Sequence, residues 1–442
     1  MISQGLFYFQ AMEWSIKDIY DKVYQGRRIV IDSRKVEVGD IFIALQGERQ
    51  DGNQYALKAL DNGAAFAIID APTLKGKDDR LIYVEDALVA LQDLAFYHRS
   101  QLSIPVIGVT GSNGKTTTKE LLVSVLSQSY RIAATKGNYN NHIGVPLTIL
   151  DTPLDTEILI LEMGTNQPGD IAQLCHLGKP THGIITNIGD AHLEKLIDRD
   201  GVLQEKGALY RHVMKGSEGV FFLFDDDGYL TKLAQGIDEV ISFGSKTSRH
   251  ITSVNTSIGS SEISISLENQ VINAQSSLTG QHNMYNILAA AVIGFHFGIS
   301  IEEISKGIAS YIPSNMRSQM KITDRNRLLI DAYNANPSSM SASIFALEDA
   351  KEDLVLILGD MLELGLKSAD YHQKIIRQVE DLDVKNLVVV GPIFTEVVEG
   401  KYRAYHDVDD LIKSGLLSEI RNSLVLIKGS RGIRLEKTID HL

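Results

Sequence analysis

One cysteine, Cys175, stands in 442 residues, so no intrachain disulfide can form and the composition fits a reducing compartment. Its place in the helix-like segment 170–178 reads as a small buried apolar side chain. The opening stretch MISQGLFYFQAMEW has no basic residue ahead of its apolar part, which speaks against a secretory leader. No later run approaches the length needed to span a bilayer. Positive charge is also in deficit: 43 Lys and Arg face 56 Asp and Glu, a formal net charge of −13. Such a chain has no general attraction to nucleic acid or anionic lipid, so any phosphate it holds needs a local site of backbone amides and a few cations. Internal repeats and low-complexity tracts are missing too. What remains is the balance of a soluble globular protein, 44% hydrophobic and 22% charged, long enough for two or three domains. We expect a cytoplasmic monomer without nucleic-acid or membrane partners.

Short apolar runs alternate with helix-length amphipathic stretches, which predicts an α/β fold with largely parallel sheets. Strands are expected at 29–31, 41–45, 65–69 and 81–84, with helical spacing at 53–60 and 87–98. Ser103-Ile104-Pro105 reads as a linker, because proline removes a donor and biases its predecessor away from helix. A second block carries strands at 106–110, 158–161, 183–188 and 219–224. Residues 250–278 are rich in Ser, Thr, Ile and Val in near alternation, which predicts an antiparallel β extension. Helices follow at 282–297 and 301–309. After Tyr311-Ile312-Pro313-Ser314, four strands (328–331, 354–358, 387–390, 424–427) with helical crossovers predict a Rossmann-like domain. Three domains are expected, at 1–103, 104–312 and 313–442.

The strongest local signal is VIGVTGSNGKTTT, residues 106–118. A buried strand leads in, and a helix follows with Leu121, Leu122, Val125 and Leu126 on one face. In Gly111, Ser112, Asn113, Gly114, Lys115, Thr116 and Thr117, the glycines let backbone amides turn around phosphate oxygens, and the helix N-terminus adds partial positive charge. Lys115 would reach the β- and γ-phosphates of ATP, and the Thr116 hydroxyl a Mg²⁺ ion. A standard phosphate loop has glycine where this chain has Val109; here the glycines fall at 108 and 111. Glu162 ends the apolar run 158–161 and would point at the carboxyl edge of the sheet, where α/β ligands bind. His192 follows the next strand through Thr186-Asn187-Ile188-Gly189-Asp190-Ala191 and could hold a second metal as neutral imidazole.

These residues resemble the Mur ligase family, whose relatives include folylpolyglutamate synthetases and whose phosphate loop, T-G-x-x-G-K-T, has this glycine spacing. The resemblance covers nearly the whole chain and implies an ATP-dependent, ADP-forming amide ligase. Glu162 and His192 match the family's Mg²⁺ ligands. Lys206, in Gln204-Glu205-Lys206-Gly207-Ala208, matches its carbamylated lysine, which implies two Mg²⁺ and CO₂ bound as the carbamate. The free ammonium would be repelled by the metal, whereas the CO₂ adduct is an anion. Asn138, Asn140 and Asn141 lie in a loop similar to the family's Asn-rich loop. Asn286, in 282–290, matches the residue on adenine, Arg317 the arginine on the ATP phosphates, and Asp331 the carboxylate on the ribose. The family more usually has glycine before that arginine, where Met316 stands here, and an acid or serine after the aspartate, where Ala332 stands.

The N-terminal block, with Ser33, Arg34 and Gly47, resembles the domain that binds uridine diphosphate in the members adding the third residue and the final dipeptide. Leu358–Gly365 followed by His372, and Lys428-Gly429-Ser430-Arg431-Gly432, resemble signatures of the dipeptide-adding member, and the D-x-N-P-R motif of the third-residue ligase is absent. The implied substrates are ATP, UDP-N-acetylmuramoyl-tripeptide and D-alanyl-D-alanine, joined through an acyl phosphate. Asn334, Asn336 and Ser338 are candidates for reading the dipeptide. His372 and His192 are candidates for the base that takes the amine proton. The alternatives are the ligase adding diaminopimelate or lysine, and a phosphate-loop protein that uses ATP only to switch partners. Glu162, His192 and Lys206 favour an enzyme over the switch.

Overall fold

The computed structural model describes residues 14–442 apart from 48–49, 236–239, 258, 349, 351–352 and 383. The chain forms two compact units. One holds residues 1–108, 131–163 and 173–180, and the other 109–130, 164–172 and 181–442.

In the first unit, Ile29–Val30, Ile41–Ile43, Phe66–Ile69 and Leu81–Tyr83 pair in that order as a parallel sheet. Each strand matches one of the expected apolar runs, trimmed by a residue or more at its ends. The helix Ala87–Ser100 follows, its first turn capped by the Asp86 carboxylate accepting from Val89 N at 2.9 Å. His98 on that helix is buried and bridges two segments, with Nε2 2.8 Å from Thr152 O and Nδ1 2.7 Å from Tyr20 Oη. Ile132–Ala134 and Ile158–Glu162 pair in parallel within the same unit. The strand at 132–134 is too short and too polar in its flanks to have been expected from periodicity.

In the second unit, His182–Ile185, Val220–Phe224 and Val240–Phe243 form a parallel ladder. The expected β extension is there: Arg249–Ser257, Ser260–Leu267 and Gln270–Ser276 make a three-stranded antiparallel sheet. Along Ser260–Leu267 exposed and buried residues alternate, so one face of this sheet is covered. Helices Gln281–His296 and Ile301–Ser310 pack on Lys115–Leu126. The C-terminal sheet has six strands rather than four, in the order Gln319–Ile322, Arg327–Asp331, Ser423–Lys428, Asp353–Gly359, Asn386–Val390, Arg403–Tyr405. The two unexpected strands are the edges. Gln319–Ile322 is a polar antiparallel strand, and Arg403–Tyr405 is only three residues long, so neither carries the apolar run by which buried parallel strands are read. Among the described residues no helix is long and apolar enough to cross a membrane.

Candidate active site

The phosphate loop closes on itself through its glycines. Gly111 (φ +148°) and Gly114 (φ +79°) take backbone conformations that side chains resist. A Cβ on Gly111 would meet Thr186 Oγ1 at 1.9 Å, and one on Gly114 would meet Asn286 Oδ1 at 2.5 Å. The helix Lys115–Leu126 begins at Gly114 with no side-chain cap, the kind of helix start that suits an anion. Lys115 Nζ is folded over the loop and donates to Gly111 O at 2.6 Å and Ser112 O at 3.3 Å. Ser112 Oγ exchanges hydrogen bonds with the backbone of Gly189. Thr116 and Thr117 are buried in the first helical turn.

The loop is braced by residues whose roles were not apparent in the sequence. Asn187 Oδ1 accepts from Asn113 N at 3.1 Å while its Nδ2 donates to Asn113 O at 3.0 Å. Asn286, expected at adenine, lies against Gly114, with Oδ1 accepting from Thr118 Oγ1 at 3.2 Å and Nδ2 donating to Asn283 Oδ1. Asn336 caps the helix Pro337–Phe345 by accepting from Ser339 N, and its Nδ2 donates to Asn113 Oδ1 at 2.8 Å. Asn187 stands at a strand end within a polar run, the one signal that could have marked it.

Lys206 lies on the helix Arg199–Val213, which Asp198 caps through Gly201 N at 2.9 Å. The lysine is fully buried, and Nζ has no hydrogen-bond partner among the described residues. Burial pushes its ammonium well below the usual range, and the Lys115 charge adds to this against an opposing effect of Glu205. Glu205 itself is spent elsewhere, accepting from Gly169 N and Ile171 N at 2.7 Å each. His192 has φ +54°, and its Nδ1 lies 2.7 Å from Glu363 Oε2, which leaves Nε2 as the nitrogen for a ligand. The hydrogen bond from His192 holds the Glu363 carboxyl below its usual range.

Within the first unit, Glu162 is buried at the end of its strand; Oε1 accepts from Asn140 Nδ2 at 2.8 Å and Oε2 has no partner among the described residues. Thr135 Oγ1 accepts from Glu162 N at 3.0 Å, a support the sequence did not announce. Asn141 Oδ1 accepts from Ile143 N and Gly144 N at the start of the helix Gly144–Leu150, and Asn138 is exposed. In the uridine-type region Arg34 folds back on Asp32, with Nε and Nη2 at 2.9 and 2.8 Å from its two oxygens. Ser33 is buried and its carbonyl accepts from Asn62 Nδ2; Gly47 N donates to Gln50 O at 2.8 Å. Each residue expected to hold a metal offers a suitable atom: an unpartnered carboxylate oxygen on Glu162, Nε2 of His192, the unpartnered amine of Lys206 and the hydroxyl of Thr116. No group of three or more His, Cys, Asp or Glu among the described residues is placed to hold a metal without such additions.

The two signatures of the C-terminal sheet meet at its carboxyl edge. Gly359 and Gly429 touch: a Cβ on Gly429 would lie 2.9 Å from Gly359 Cα. Ser430 Oγ accepts from Leu362 N at 2.9 Å and reaches Ala335 O at 3.3 Å, tying three loops together. Lys428, almost fully buried, donates to Asp331 Oδ2 at 2.5 Å; Ser343 Oγ donates to the same oxygen and Ser318 N to Oδ1. Burial raises the Asp331 pKa, but the Lys428 charge and these hydrogen bonds outweigh it and hold the carboxyl low. The loop before it explains the Met316 departure in part: Asn315, Met316 and Ser318 all have positive φ, the conformation glycine takes without cost. His372 is not a base. It is fully buried, Nε2 accepts from Met361 N at 3.0 Å, and Nδ1 lies 2.7 Å from Ser368 O, so both nitrogens are engaged.

Three family models match the chain in turn: the Mur ligase family catalytic domain at 27–99, the Mur ligase middle domain at 109–294, and the Mur ligase glutamate ligase domain at 316–431. A curated relative from Bacillus subtilis, named UDP-N-acetylmuramoyl-tripeptide–D-alanyl-D-alanine ligase, is 34% identical over 427 residues, 94% of this chain and 92% of its own. A crystal structure of MurF from Acinetobacter baumannii superposes with a TM-score of 0.85 at 30% identity, covering 93% of this chain and 92% of that one. The MurF ligase of Thermotoga maritima in complex with ADP gives 0.84 at 28% identity, with 95% and 98% covered.

Proposed function

Because the chain belongs to the Mur ligase family, we infer that it joins D-alanyl-D-alanine to UDP-N-acetylmuramoyl-tripeptide with cleavage of ATP to ADP and phosphate. The observation that carries this reading is the identity to a ligase of that name along nearly the full length of both chains. We keep the parts at 1–103 for the uridine-linked substrate, 104–312 for ATP and 313–442 for the incoming dipeptide.

The tripeptide's terminal carboxylate attacks the γ-phosphorus, ADP leaves, and an acyl phosphate forms. The dipeptide amine then attacks the acyl carbon, and phosphate departs as the amide bond closes. The first step brings an anion onto a polyanion. The uncapped amides at Gly114–Thr117 and the Lys115 ammonium oppose that repulsion and keep the phosphates in place for in-line attack. Mg²⁺, held by Thr116, Glu162, His192 and the carbamate of Lys206, would neutralise charge on the phosphate oxygens. The buried, unpartnered amine of Lys206 supports the carbamate, because CO₂ reacts with a neutral amine and the product anion gains the partners the amine lacks. Asn140 and Thr135 orient Glu162, and Glu363 orients His192.

The test is phosphate release from ATP and UDP-N-acetylmuramoyl-tripeptide with and without D-alanyl-D-alanine. We expect release only with the dipeptide, and a product heavier by the dipeptide less water. Release that requires a UDP-dipeptide and a free diamino acid would instead assign the preceding step.

A further inference from the structure

Arginines of this chain pair with carboxylates where these are at hand; Arg199, for example, holds both oxygens of Asp190 at 2.9 and 2.7 Å. Two arginines at the carboxyl edge of the C-terminal sheet do otherwise. The guanidinium carbon of Arg317 lies 3.7 Å from the Tyr333 ring centroid and that of Arg431 lies 5.3 Å from the same centroid. Among the described residues neither guanidinium makes an ion pair or side-chain hydrogen bond. The third cation nearby, Lys428, is committed to Asp331. Two planar cations on one ring without an anion form a receptor for one.

Their placement is built in. Strands Arg327–Asp331 and Ser423–Lys428 are parallel neighbours with Asp331 opposite Lys428, so the residues that follow them leave the sheet side by side. Ser430 fixes the second loop against Leu362 N and Ala335 O, immediately before Arg431. The groups expected to read the dipeptide are otherwise engaged. Asn336 caps a helix and holds Asn113, and Ser338 Oγ accepts from Asp190 N at 3.2 Å.

Apart from the uridine-linked diphosphate, which the reading above gives to 1–103, the anions at the reacting centre are the ATP phosphates, the tripeptide carboxylate that reacts, and the dipeptide's own C-terminal carboxylate, which does not react. The position of Arg317 resembles that of a phosphate-binding arginine. A carboxylate that keeps its charge throughout suits a fixed, exposed fork stacked on an aromatic ring. We propose that Arg431, held against Tyr333, binds the terminal carboxylate of the incoming dipeptide and so sets which amine the chain accepts. This rests on reading the chain as the dipeptide-adding ligase.

The experiment compares D-alanyl-D-alanine with D-alanyl-D-alaninamide as acceptors, in the wild type and in Arg431→Gln and Arg431→Lys. Turnover of the acid by the wild type is the control: without it the functional reading fails, and this proposal with it. Given that control, the wild type should favour the acid over the amide by about 100-fold in kcat/KM, the scale of a charge-assisted bidentate contact. Arg431→Gln should lose most of that preference through a raised KM for the dipeptide, with KM for ATP and for the tripeptide unchanged. Arg431→Lys should recover part of it. The side chain is exposed and makes no hydrogen bond among the described residues, so these variants keep the fold. A Gln variant that still prefers the acid to the same degree, or whose KM rises for ATP instead, overturns the proposal.

Discussion

Lys206 and Lys428 are both almost completely buried in the second unit, and their surroundings are opposites. Around Lys428 every charge is met: the ammonium faces Asp331, whose oxygens also take Ser343 Oγ and Ser318 N. Around Lys206 the unfavourable terms accumulate. The amine has no hydrogen-bond partner among the described residues, the neighbouring charge that acts on it most is another lysine, and its helix is entered through Ile197, a strained residue. Ile197 has φ +71° and ψ −58°, with Asp198 N donating to Leu196 O at 2.8 Å across it, a tight turn that β-branched residues avoid. The pair around Lys428 is complete as it stands and shapes the sheet edge. The surroundings of Lys206 call for an added group.

The largest test of this contrast exchanges each lysine for methionine. Lys206→Met should reduce phosphate release roughly 1,000-fold, the scale of losing a preorganised electrostatic group. In bicarbonate-free buffer the same variant should unfold at a higher urea midpoint than the wild type, because an unsatisfied buried amine is removed. Lys428→Met should do the reverse to stability. It strands the Asp331 carboxylate without its counter-ion, a loss of about 3–5 kcal/mol on the scale of broken buried pairs. A Lys428→Met protein as stable as the wild type would dissolve the comparison.

The pH dependence sharpens it next. The folded pKa of Asp331 is depressed, so the pair's contribution is present above the ordinary carboxylate pKa and is lost as pH falls through the folded value. In Lys428→Met that carboxyl, buried without its ammonium, should titrate upward. The variant's deficit should therefore be widest at neutral pH and narrow in mild acid, which urea midpoints at a series of pH values would record. A deficit independent of pH would mean that packing around the lysine stem, not charge, had been lost.

A third buried base gives an intermediate case. His182 is pushed from 6.5 to about 4, first by burial and then by the charge of His296, whose Nε2 lies 3.4 Å from its own. A depressed folded pKa leaves this contribution intact above 6.5, and it is lost progressively as pH falls toward 4. His182→Gln should flatten the fall in thermal midpoint across that window; an unchanged slope would assign it to other groups. The smallest effect belongs to the turn before the Lys206 helix. Ile197→Gly should gain about 1 kcal/mol, because the side chain is largely exposed and its strain is released. A loss in its place would show that the isoleucine makes contacts worth more than the strain.

Much of this was legible in the sequence, where one residue type has one physical use. Gly111 and Gly114 announced the phosphate loop because only glycine tolerates their φ and the approach of Thr186 and Asn286. The buried parallel strands were readable as apolar runs. The edge strands Gln319–Ile322 and Arg403–Tyr405 were not, since exposure on one side dilutes the pattern. Asparagines were the least legible residues. Asn187, Asn286 and Asn336 each give at least one amide atom to a hydrogen bond with a distant part of the chain, Asn113, Thr118 and Asn113 in turn, and nothing local encodes those partners. His372 misled because a histidine in a signature suggests chemistry, whereas here both its nitrogens hold backbone.

The amide of Asn336 couples two things usually read separately. Its oxygen secures the first turn of the helix Pro337–Phe345 and its nitrogen holds the side chain of Asn113 in the phosphate loop. Whatever draws Asn113 toward a nucleotide therefore tugs on a helix start, and the Ser339 amide becomes a gauge of loop occupancy. Its hydrogen-exchange rate, followed during an ATP titration, would report on the far end of that lever without any label at the nucleotide itself.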